Sequence, residues 1–258
     1  TKLDFVTPTE IVALPSRGEF YAEDHPLHGQ DSIEIRFMTA KDEDILTSQS
    51  LIKKGVVIDR LLQNLIIDKR IKPDDLLVGD KNAIIVAARI SGYGPSYDTK
   101  MTCPSCGSTE DYSFDLGECL NTEADGPTVI GEASKTESGT YLIELPKSQV
   151  KAEVRVLTGA DERYLAQLSE KQKKHKLPES FLTNQLRRII VALNGIDDPS
   201  VINKFIDVMP AMDSLYLRDV YNKITPNAEL RQEYSCITCG HEGIVEVPFT
   251  VDFFWPKR

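Results

Sequence analysis

Two short cysteine motifs, Cys103-Pro104-Ser105-Cys106-Gly107 and Cys236-Ile237-Thr238-Cys239-Gly240, determine how the rest of the chain is interpreted. In each motif two residues separate the cysteines, so a tight turn can direct both thiolates to one point. Alternating runs typical of strands flank both motifs. Two such knuckles supply the ligands of a tetrahedral zinc site, with Zn–S distances of about 2.3 Å. The sequence therefore predicts one structural Zn²⁺ bound by Cys103, Cys106, Cys236 and Cys239.

The two motifs lie far apart along the chain. Between Cys106 and Cys236 there are 129 residues, whereas the knuckles of a simple zinc ribbon are roughly 15–20 residues apart. A shared zinc ion would therefore join two halves of the chain instead of forming the core of a small finger. Two disulfides are the alternative use of these four cysteines.

The overall composition is that of a globular protein without a membrane span. The 258 residues are 41% hydrophobic and 27% charged, which is typical of a globular protein. The N-terminus has no signal-peptide core and no apolar run reaches the roughly 20 residues of a membrane span. We therefore expect a protein made in the cytoplasm, where thiols and metal ligands are more common than disulfides.

The charge balance disfavours nucleic acid as a partner. The formal net charge of −10 argues against a broad basic face that binds phosphates. The one local basic run, residues 171–176, is predicted to be a solvated loop between two helices.

The order of elements before each knuckle repeats. Residues 33–43 and 152–162 align at a constant offset of 119, and both contain a strand with an Arg, then a capping Thr and an Asp-Glu pair. Thr39 is predicted to cap the first helix, and a second helix is predicted from apolar residues at helical spacing, Val57, Leu61, Leu62, Leu65 and Ile66. Asp80 and Asp213 are predicted to cap the helices that precede the two knuckles, since each lies 23 residues before the first cysteine of its motif.

These repeats predict an α+β fold built by internal duplication of a strand–helix–zinc-knuckle unit. The predicted units are residues 1–120 and 139–258, joined by an exposed and mobile linker at residues 121–138. The second unit has about 14 extra residues, which we place near residues 171–178. Accidental similarity between the halves is the alternative.

Signals of catalysis are absent from the sequence. It has no phosphate-binding glycine loop, no His-Glu-x-x-His helix and no nucleophile elbow. His25 and His28 could share a metal but are better explained as surface residues, and His241 could replace one thiolate. Cys119 has no partner spacing. Four thiolates fill a tetrahedral shell and leave no position for water, so the predicted zinc site is structural and we predict no enzymatic activity.

Several segments together resemble the baseplate hub proteins of T-even-like contractile-tailed bacteriophages. They are Leu14-Pro15-Ser16-Arg17-Gly18 with Tyr21, Ile35-Arg36-Phe37-Met38-Thr39 before Asp42-Glu43-Asp44, Gly79-Asp80-Lys81, Arg89 with Tyr93-Gly94-Pro95, the first cysteine pair, and Val251-Asp252-Phe253-Phe254-Trp255-Pro256. The resemblance covers most of the chain. The zinc site comes from the spacing in this sequence, since members of the family differ in their cysteines.

The resemblance implies a non-enzymatic structural or assembly protein of the hub, in the virion tail baseplate and in the host cytoplasm during assembly. Its implied partners are other baseplate hub proteins and the tape-measure protein. A zinc-ribbon adaptor for nucleic acid or transcription is the alternative, although Glu110, Asp111 and Glu242 near the knuckles would repel phosphates. A disulfide-exchange enzyme is a third hypothesis, disfavoured because strands flank the knuckles.

The C-terminal aromatic run has two interpretations. Val251, Phe253, Phe254 and Trp255 could anchor a partner protein, because aromatic residues often dominate interface energetics. Alternatively they complete the core of the second half. The sequence does not distinguish these interpretations.

Overall fold

The first half of the chain begins with an antiparallel hairpin. In the computed structural model, which describes residues 6–120, 133–178, 180–249 and 251–254, β1 (Thr9–Ala13) pairs with β2 (Ser32–Arg36). The predicted alternation in β2 is confirmed, since Ile33 and Ile35 are buried and Glu34 is exposed. Four helices and a second hairpin follow: α1 (Ala40–Thr47), α2 (Gln49–Lys53), α3 (Val57–Leu65), α4 (Val78–Tyr93), β3 (Ser96–Thr102) and β4 (Thr109–Asp115).

The second half contains a four-stranded antiparallel sheet and a further hairpin. The sheet has the order β5 (Ala133–Lys135), β6 (Tyr141–Glu144), β7 (Lys151–Val154), β8 (Ile190–Leu193). The other elements of this half are α5 (Gly159–Lys174), α6 (Phe181–Ile189), α7 (Pro199–Val208), α8 (Ala211–Ile224), β9 (Arg231–Ser235) and β10 (Glu242–Glu246). Short 3-10 helices lie at Glu118–Leu120 and Val251–Phe254. The mixed helix and strand content confirms the α+β class.

The helices α1 and α5 begin in the same way. The carboxylate of Asp42 accepts hydrogen bonds from the backbone N–H and the hydroxyl of Thr39, at 2.8 and 2.9 Å. The carboxylate of Asp161 accepts the equivalent bonds from Thr158. Each of these aspartates also forms a two-pronged ion pair with the arginine six residues before it. The predicted capping by Thr39 is confirmed.

Asp80 and Asp213 do not cap their helices, so that prediction is wrong. Both lie inside the first turn, because α4 starts at Val78 and α8 at Ala211. Their carboxylates instead hold the loop that follows a Leu-Pro pair. Asp80 accepts bonds from the backbone N–H and hydroxyl of Ser16, and Asp213 accepts two from the backbone at Lys147 and Ser148. An aspartate in the first turn is favoured by the positive helix end whether or not it caps, so the sequence signal was ambiguous.

Three other sequence predictions need adjustment. The short helix after Thr39 is divided at Ser48, whose backbone is extended between α1 and α2. The basic run is not a loop throughout, since α5 continues to Lys174, although the lysines of the run are exposed. In the predicted linker, residues 121–132 lie outside the described residues, while Ala133–Lys135 forms strand β5.

The spacing between helices is longer in the second half than in the first half at two places. The nine-residue helices α3 and α6 start 124 positions apart, and α4 and α8 start 133 positions apart. Since α1 and α5 start 119 positions apart, about five more residues separate the starts of α5 and α6 than those of α1 and α3, and about nine more separate the starts of α6 and α8 than those of α3 and α4. Only the first group lies near residues 171–178. The second group lies in the region of α7, which follows the strand β8.

The main hydrophobic core runs through both halves. It includes the buried face of α4 and side chains from the second half such as Ile143, Val154, Leu217 and Phe253. The segment before α4 also pairs with the segment before α5, since Val78 N–H donates to the carbonyl of Leu157 at 3.0 Å. The Lys81 ammonium lies 2.9 Å from Asp59 and 3.1 Å from Glu162, which adds an ion-pair link between the halves.

Within the described ranges, no helix combines the length and the apolar character that crossing a bilayer requires.

Candidate metal centre

The tips of two hairpins bring the cysteine pairs together. Cys103 and Cys106 lie in the turn between β3 and β4, and Cys236 and Cys239 lie in the turn between β9 and β10. Both turns have the same backbone bonds: the N–H of the following glycine donates to the carbonyl of the first cysteine, at 3.0 and 2.9 Å. Gly107 and Gly240 have φ values of 72° and 69°, in the left-handed region that favours glycine. The shared Cys-x-x-Cys-Gly pattern thus reflects a shared turn.

The four sulfur atoms form a compact group. The Sγ atoms of Cys103 and Cys239 are 3.8 Å apart, as are those of Cys106 and Cys236, and all four lie within 4.8 Å of one another. A tetrahedron with Zn–S bonds of about 2.3 Å has S–S edges of about 3.8 Å. The two separations of 3.8 Å therefore match the S–S edges of a four-thiolate zinc site. The first cysteine of each pair is buried and the second is exposed.

Hydrogen-bond donors surround the sulfur atoms. The Ser108 hydroxyl lies 3.0 Å from Cys106 Sγ and 3.6 Å from Cys236 Sγ, so it contacts one thiol of each pair. The backbone N–H of Ser105 donates to Cys103 Sγ at 3.4 Å. Such contacts from outside the ligand set orient the ligands of a metal site. Ser108 was not identified from the sequence, because only the fold places it beside the distant cysteine pair.

The local environment lowers the pKa of two of the four cysteines, Cys236 and Cys106, which favours their thiolate forms. Backbone hydrogen bonding from the turn at Cys239 lowers the pKa of Cys236 to about 6, and the Ser108 hydroxyl lowers that of Cys106. The pKa of Cys239 has the opposite shift, to about 12. Backbone hydrogen bonding at His241 favours the Cys239 thiolate, but burial and hydrogen bonds with the other three cysteines together outweigh it. Four thiolates this close need a bound cation to offset their repulsion.

Aromatic and carboxylate side chains also connect the β3–β4 hairpin to the β9–β10 hairpin. Glu110 of β4 accepts bonds from the Tyr234 hydroxyl at 2.7 Å and from the backbone N–H of Ile237 at 3.2 Å. Tyr112 donates from its hydroxyl to the carbonyl of Glu233, and its ring packs edge-on against that of Tyr234 at 5.2 Å. Glu110, which the sequence marked only as an acidic neighbour of the knuckle, therefore positions the second knuckle.

The remaining candidate residues lie outside the sulfur cluster. Among the described residues, the four cysteines are the one group of three or more side chains able to share a metal ion. His25 stacks on the ring of Tyr21 and His28 bonds to the Tyr21 carbonyl, so both have roles within their own loop. Cys119 is fully buried and receives a bond from Gln232 at 3.4 Å, and burial raises its pKa to about 11.

A buried arginine fixes the C-terminal aromatic segment. Arg89 of α4 donates to the carbonyls of Phe253, Gly94 and Ser96, at 2.6, 2.6 and 2.9 Å. Phe253 and Phe254 are buried, and the ring of Phe253 meets that of Tyr97 at 5.1 Å. These two phenylalanines are therefore core residues. Trp255 and the side chain of Val251 lie outside the described residues.

Comparisons with known proteins identify a family. Neither the curated proteins nor the solved structures contain a significant match to the chain. The family model described as T4 bacteriophage base plate protein matches residues 9–255, which include both hairpins with their cysteine pairs and the segment at Phe253. Since the match covers almost the whole chain, this protein belongs to the family of T4 bacteriophage base plate proteins.

Proposed function

We propose that this protein is a non-enzymatic component of the baseplate hub of a contractile-tailed phage, acting through contacts with other hub proteins. Family membership implies a structural protein of the virion tail with other phage proteins as partners, and that match is the observation that carries the proposal. The hub role rests on the sequence resemblance. It would place the protein in the host cytoplasm during assembly, with hub proteins and the tape-measure protein as its partners.

The proposal includes one structural Zn²⁺ bound by Cys103, Cys106, Cys236 and Cys239. The 3.8 Å sulfur separations across the two pairs support it, as do the donors from Ser108 and from the turn backbones. When bound, the ion would neutralise the thiolates and fix the two hairpin tips to each other. The family match and the filled coordination shell both favour a structural role for the ion.

The proposal also includes an internal duplication of the strand–helix–knuckle unit. Four pairs of features support it: the opening hairpins β1–β2 and β6–β7, the Arg36–Asp42 and Arg155–Asp161 ion pairs, the loop contacts of Asp80 and Asp213, and the two cysteine turns. Each pair occurs in the same order along the two halves. We expect the halves to superpose about a pseudo-two-fold axis that passes near the zinc site.

The proposed hub role is tested by finding which phage assemblies contain the protein. Mass spectrometry of purified phage tails, and of complexes isolated with a tagged copy of the protein, is expected to find it together with other hub proteins. Its presence in finished tails identifies a virion constituent, whereas presence only in assembly intermediates identifies an assembly factor. Absence from both, with tight and salt-dependent binding in a nucleic-acid gel shift, would refute the proposal and favour the zinc-ribbon adaptor.

Elemental analysis of the purified protein tests the metal separately. We expect about one zinc per chain, because four thiolates complete one tetrahedral shell. A protein without zinc whose intact mass indicates two disulfides would contradict the metal proposal and leave the baseplate role standing.

A further inference from the structure

The first strand of the chain has an edge that is not paired within the described residues. Leu14 N–H donates to the carbonyl of Asp31, and Phe37 N–H donates to the carbonyl of Pro8. In an antiparallel ladder, neighbouring residues direct their backbone groups to opposite sides. The backbone groups of Thr9, Ile11 and Ala13 therefore point away from β2.

This edge has few features that protect it from pairing with another strand. The side chains of Thr9, Ile11 and Ala13 are all exposed, and Ile11 is 75% exposed at the centre of the strand. Natural edge strands usually carry a lysine, a bulge or a covering element. β1 contains one charged residue, Glu10, and it is followed by Pro15, which has no N–H to offer.

The same chain shows how an equivalent edge is covered. Strand β6 corresponds in position to β1: each precedes a Leu-Pro pair and each pairs with the strand that leads into a capped helix. The outer edge of β6 pairs antiparallel with β5, where Ser134 lies opposite Leu142. In this correspondence Leu142 matches Ile11. The first half thus lacks, among its described residues, the third strand that the second half has.

A groove beside β1 provides room for such a strand. It has a volume of about 1360 Å³, and its lining includes Ile11 and Ala13 of β1, Ser32 of β2, and Tyr221 and Ile224 of α8. This exceeds the roughly 300–1,000 Å³ of small-molecule sites, which favours an extended chain as the occupant.

The charges and the size of the edge narrow the choice of occupant. The groove is lined by three cationic side chains, Arg17, Lys223 and Arg231, and by four acidic ones, Asp31, Asp219, Glu229 and Glu246, so its lining is close to neutral. Lys223 is paired with Asp219 at 2.7 Å, and Arg231 with Glu229 at 3.1 Å. Such a surface complements an uncharged peptide, not a polyanion. Two copies joined only through the five residues of β1 would bury far less than the roughly 1,200 Å² of a stable interface.

We propose that the outer edge of β1 is a docking site for an extended, largely uncharged segment of another baseplate protein, added as an antiparallel strand in the position that β5 occupies on β6. This inference rests on the proposed baseplate role, since that role supplies the class of partner. Main-chain hydrogen bonds to Ile11 would give affinity, and the groove would select the side chains of the added strand.

Short synthetic peptides tiling the other baseplate proteins of the same phage test the docking site. The readouts are peptide affinity and amide hydrogen exchange of the full-length protein. At least one peptide is expected to slow exchange at Thr9, Ile11 and Ala13 by about tenfold or more, without changing exchange at Val12, which already faces β2. Slow exchange at these three amides in the free protein would refute the proposal, because the edge would already be covered. Protection that depends on protein concentration without peptide would identify a second copy as the occupant and also refute it.

Two variants of one residue make the test specific. Ile11→Pro removes an outward N–H and no ladder bond to β2, so it is expected to weaken peptide binding by about tenfold or more while the melting temperature changes little. Ile11→Thr keeps that N–H and the β-branched shape, so binding is expected to stay within about threefold. Equal peptide binding by the wild type and by Ile11→Pro would refute the proposal that the outer edge of β1 is the docking site. The baseplate role fails only if the protein is absent from tails and assembly intermediates, so the two failures are distinguishable.

Discussion

At the scale of single residues, the four cysteines of the proposed zinc site have one another as neighbours, whereas the Cys119 thiol contacts Gln232. Replacing Cys103 by serine removes one thiolate from the proposed site, so zinc content is expected to fall well below one per chain and the melting temperature to decrease. Cys119→Ser is the control, since Cys119 contacts Gln232 and no other cysteine. We expect it to retain zinc. Elemental analysis and thermal melts of the two variants check this, and equal zinc content in both would contradict the assignment of ligands.

Asp42 is one of the residues whose ionisation should make stability depend on pH. Burial opposes its carboxylate, but hydrogen bonds from Arg36 and Thr39 outweigh burial and hold its pKa at about 2. A depressed pKa in the folded state stabilises the protein above the unfolded pKa of about 4, and this contribution is lost as the pH falls toward 2.

We therefore expect Asp42→Asn to lower the free energy of unfolding by about 1–2 kcal/mol at neutral pH, after allowance for solvent screening. The difference from wild type should shrink between pH 4 and pH 2, the window set by the folded pKa of about 2. Urea unfolding at several pH values measures it. A difference that stays constant across that window would show that the ion pair is not its source.

At the scale of elements, helix α4 depends on a glycine at its start. A Cβ atom at Gly79 would overlap the carbonyl oxygen of Pro226 in the segment after α8, and backbone cannot move aside easily. Gly79→Ala is expected to destabilise the protein by at least about 1–3 kcal/mol, the usual cost of an overpacked core substitution.

Gly92 provides the matched control in the same helix. A Cβ atom there would meet only the flexible end of Met38, at 3.2 Å. Gly92→Ala is expected to be neutral, or stabilising by up to about 1 kcal/mol, because alanine favours helix. Thermal melts compare the two variants, and equal destabilisation would contradict the close approach at Gly79.

The C-terminal 3-10 helix should behave as part of the core. Phe253 is 1% exposed and its carbonyl accepts a bond from Arg89, so Phe253→Ala is expected to cost about 3–5 kcal/mol. Deletion of residues 253–258 should unfold the protein. A truncated protein that remains folded but no longer joins hub complexes would show instead that the segment serves mainly as an interface. Circular dichroism together with co-purification separates these results.

The elements also show what sequence reasoning can and cannot reach. Periodicity and spacing correctly gave the β2 strand, the Thr39 cap and the grouping of the four cysteines, because each depends on local pattern or strong chemistry. The loop contacts of Asp80, the bonds from Arg89 to Phe253 and the position of Ser108 link residues distant in sequence. No local preference encodes such contacts, so only the fold reveals them.

At the scale of the whole molecule, the core and the sulfur cluster are distinct groups of buried residues, with the partly buried Met101, Tyr112 and Val245 packed against both. The main core extends through both halves without Cys103 or Cys236, which form a small cluster of their own with Tyr234. The ion pair of Lys81 with Glu162 also links the halves. The proposed zinc would therefore join two hairpins that are already attached to a continuous hydrophobic core.

Metal removal should consequently loosen the hairpins without unfolding the core. After chelation at neutral pH we expect faster exchange at the amides of Cys103 and Cys236, which are bonded within their turns, and little change at the buried amides of α4. The melting temperature should fall, because a ligand that binds only the folded state stabilises it.

Amide exchange before and after chelation, with readdition of zinc, measures this selectivity. Re-added zinc should restore the slow exchange of the hairpin amides, since their turns are formed by the chain itself. The variant Cys119→Ser should respond to chelation as the wild type does. Global unfolding on chelation would contradict the separation argued above, because it would mean that the core shared by the two halves does not hold without the ion.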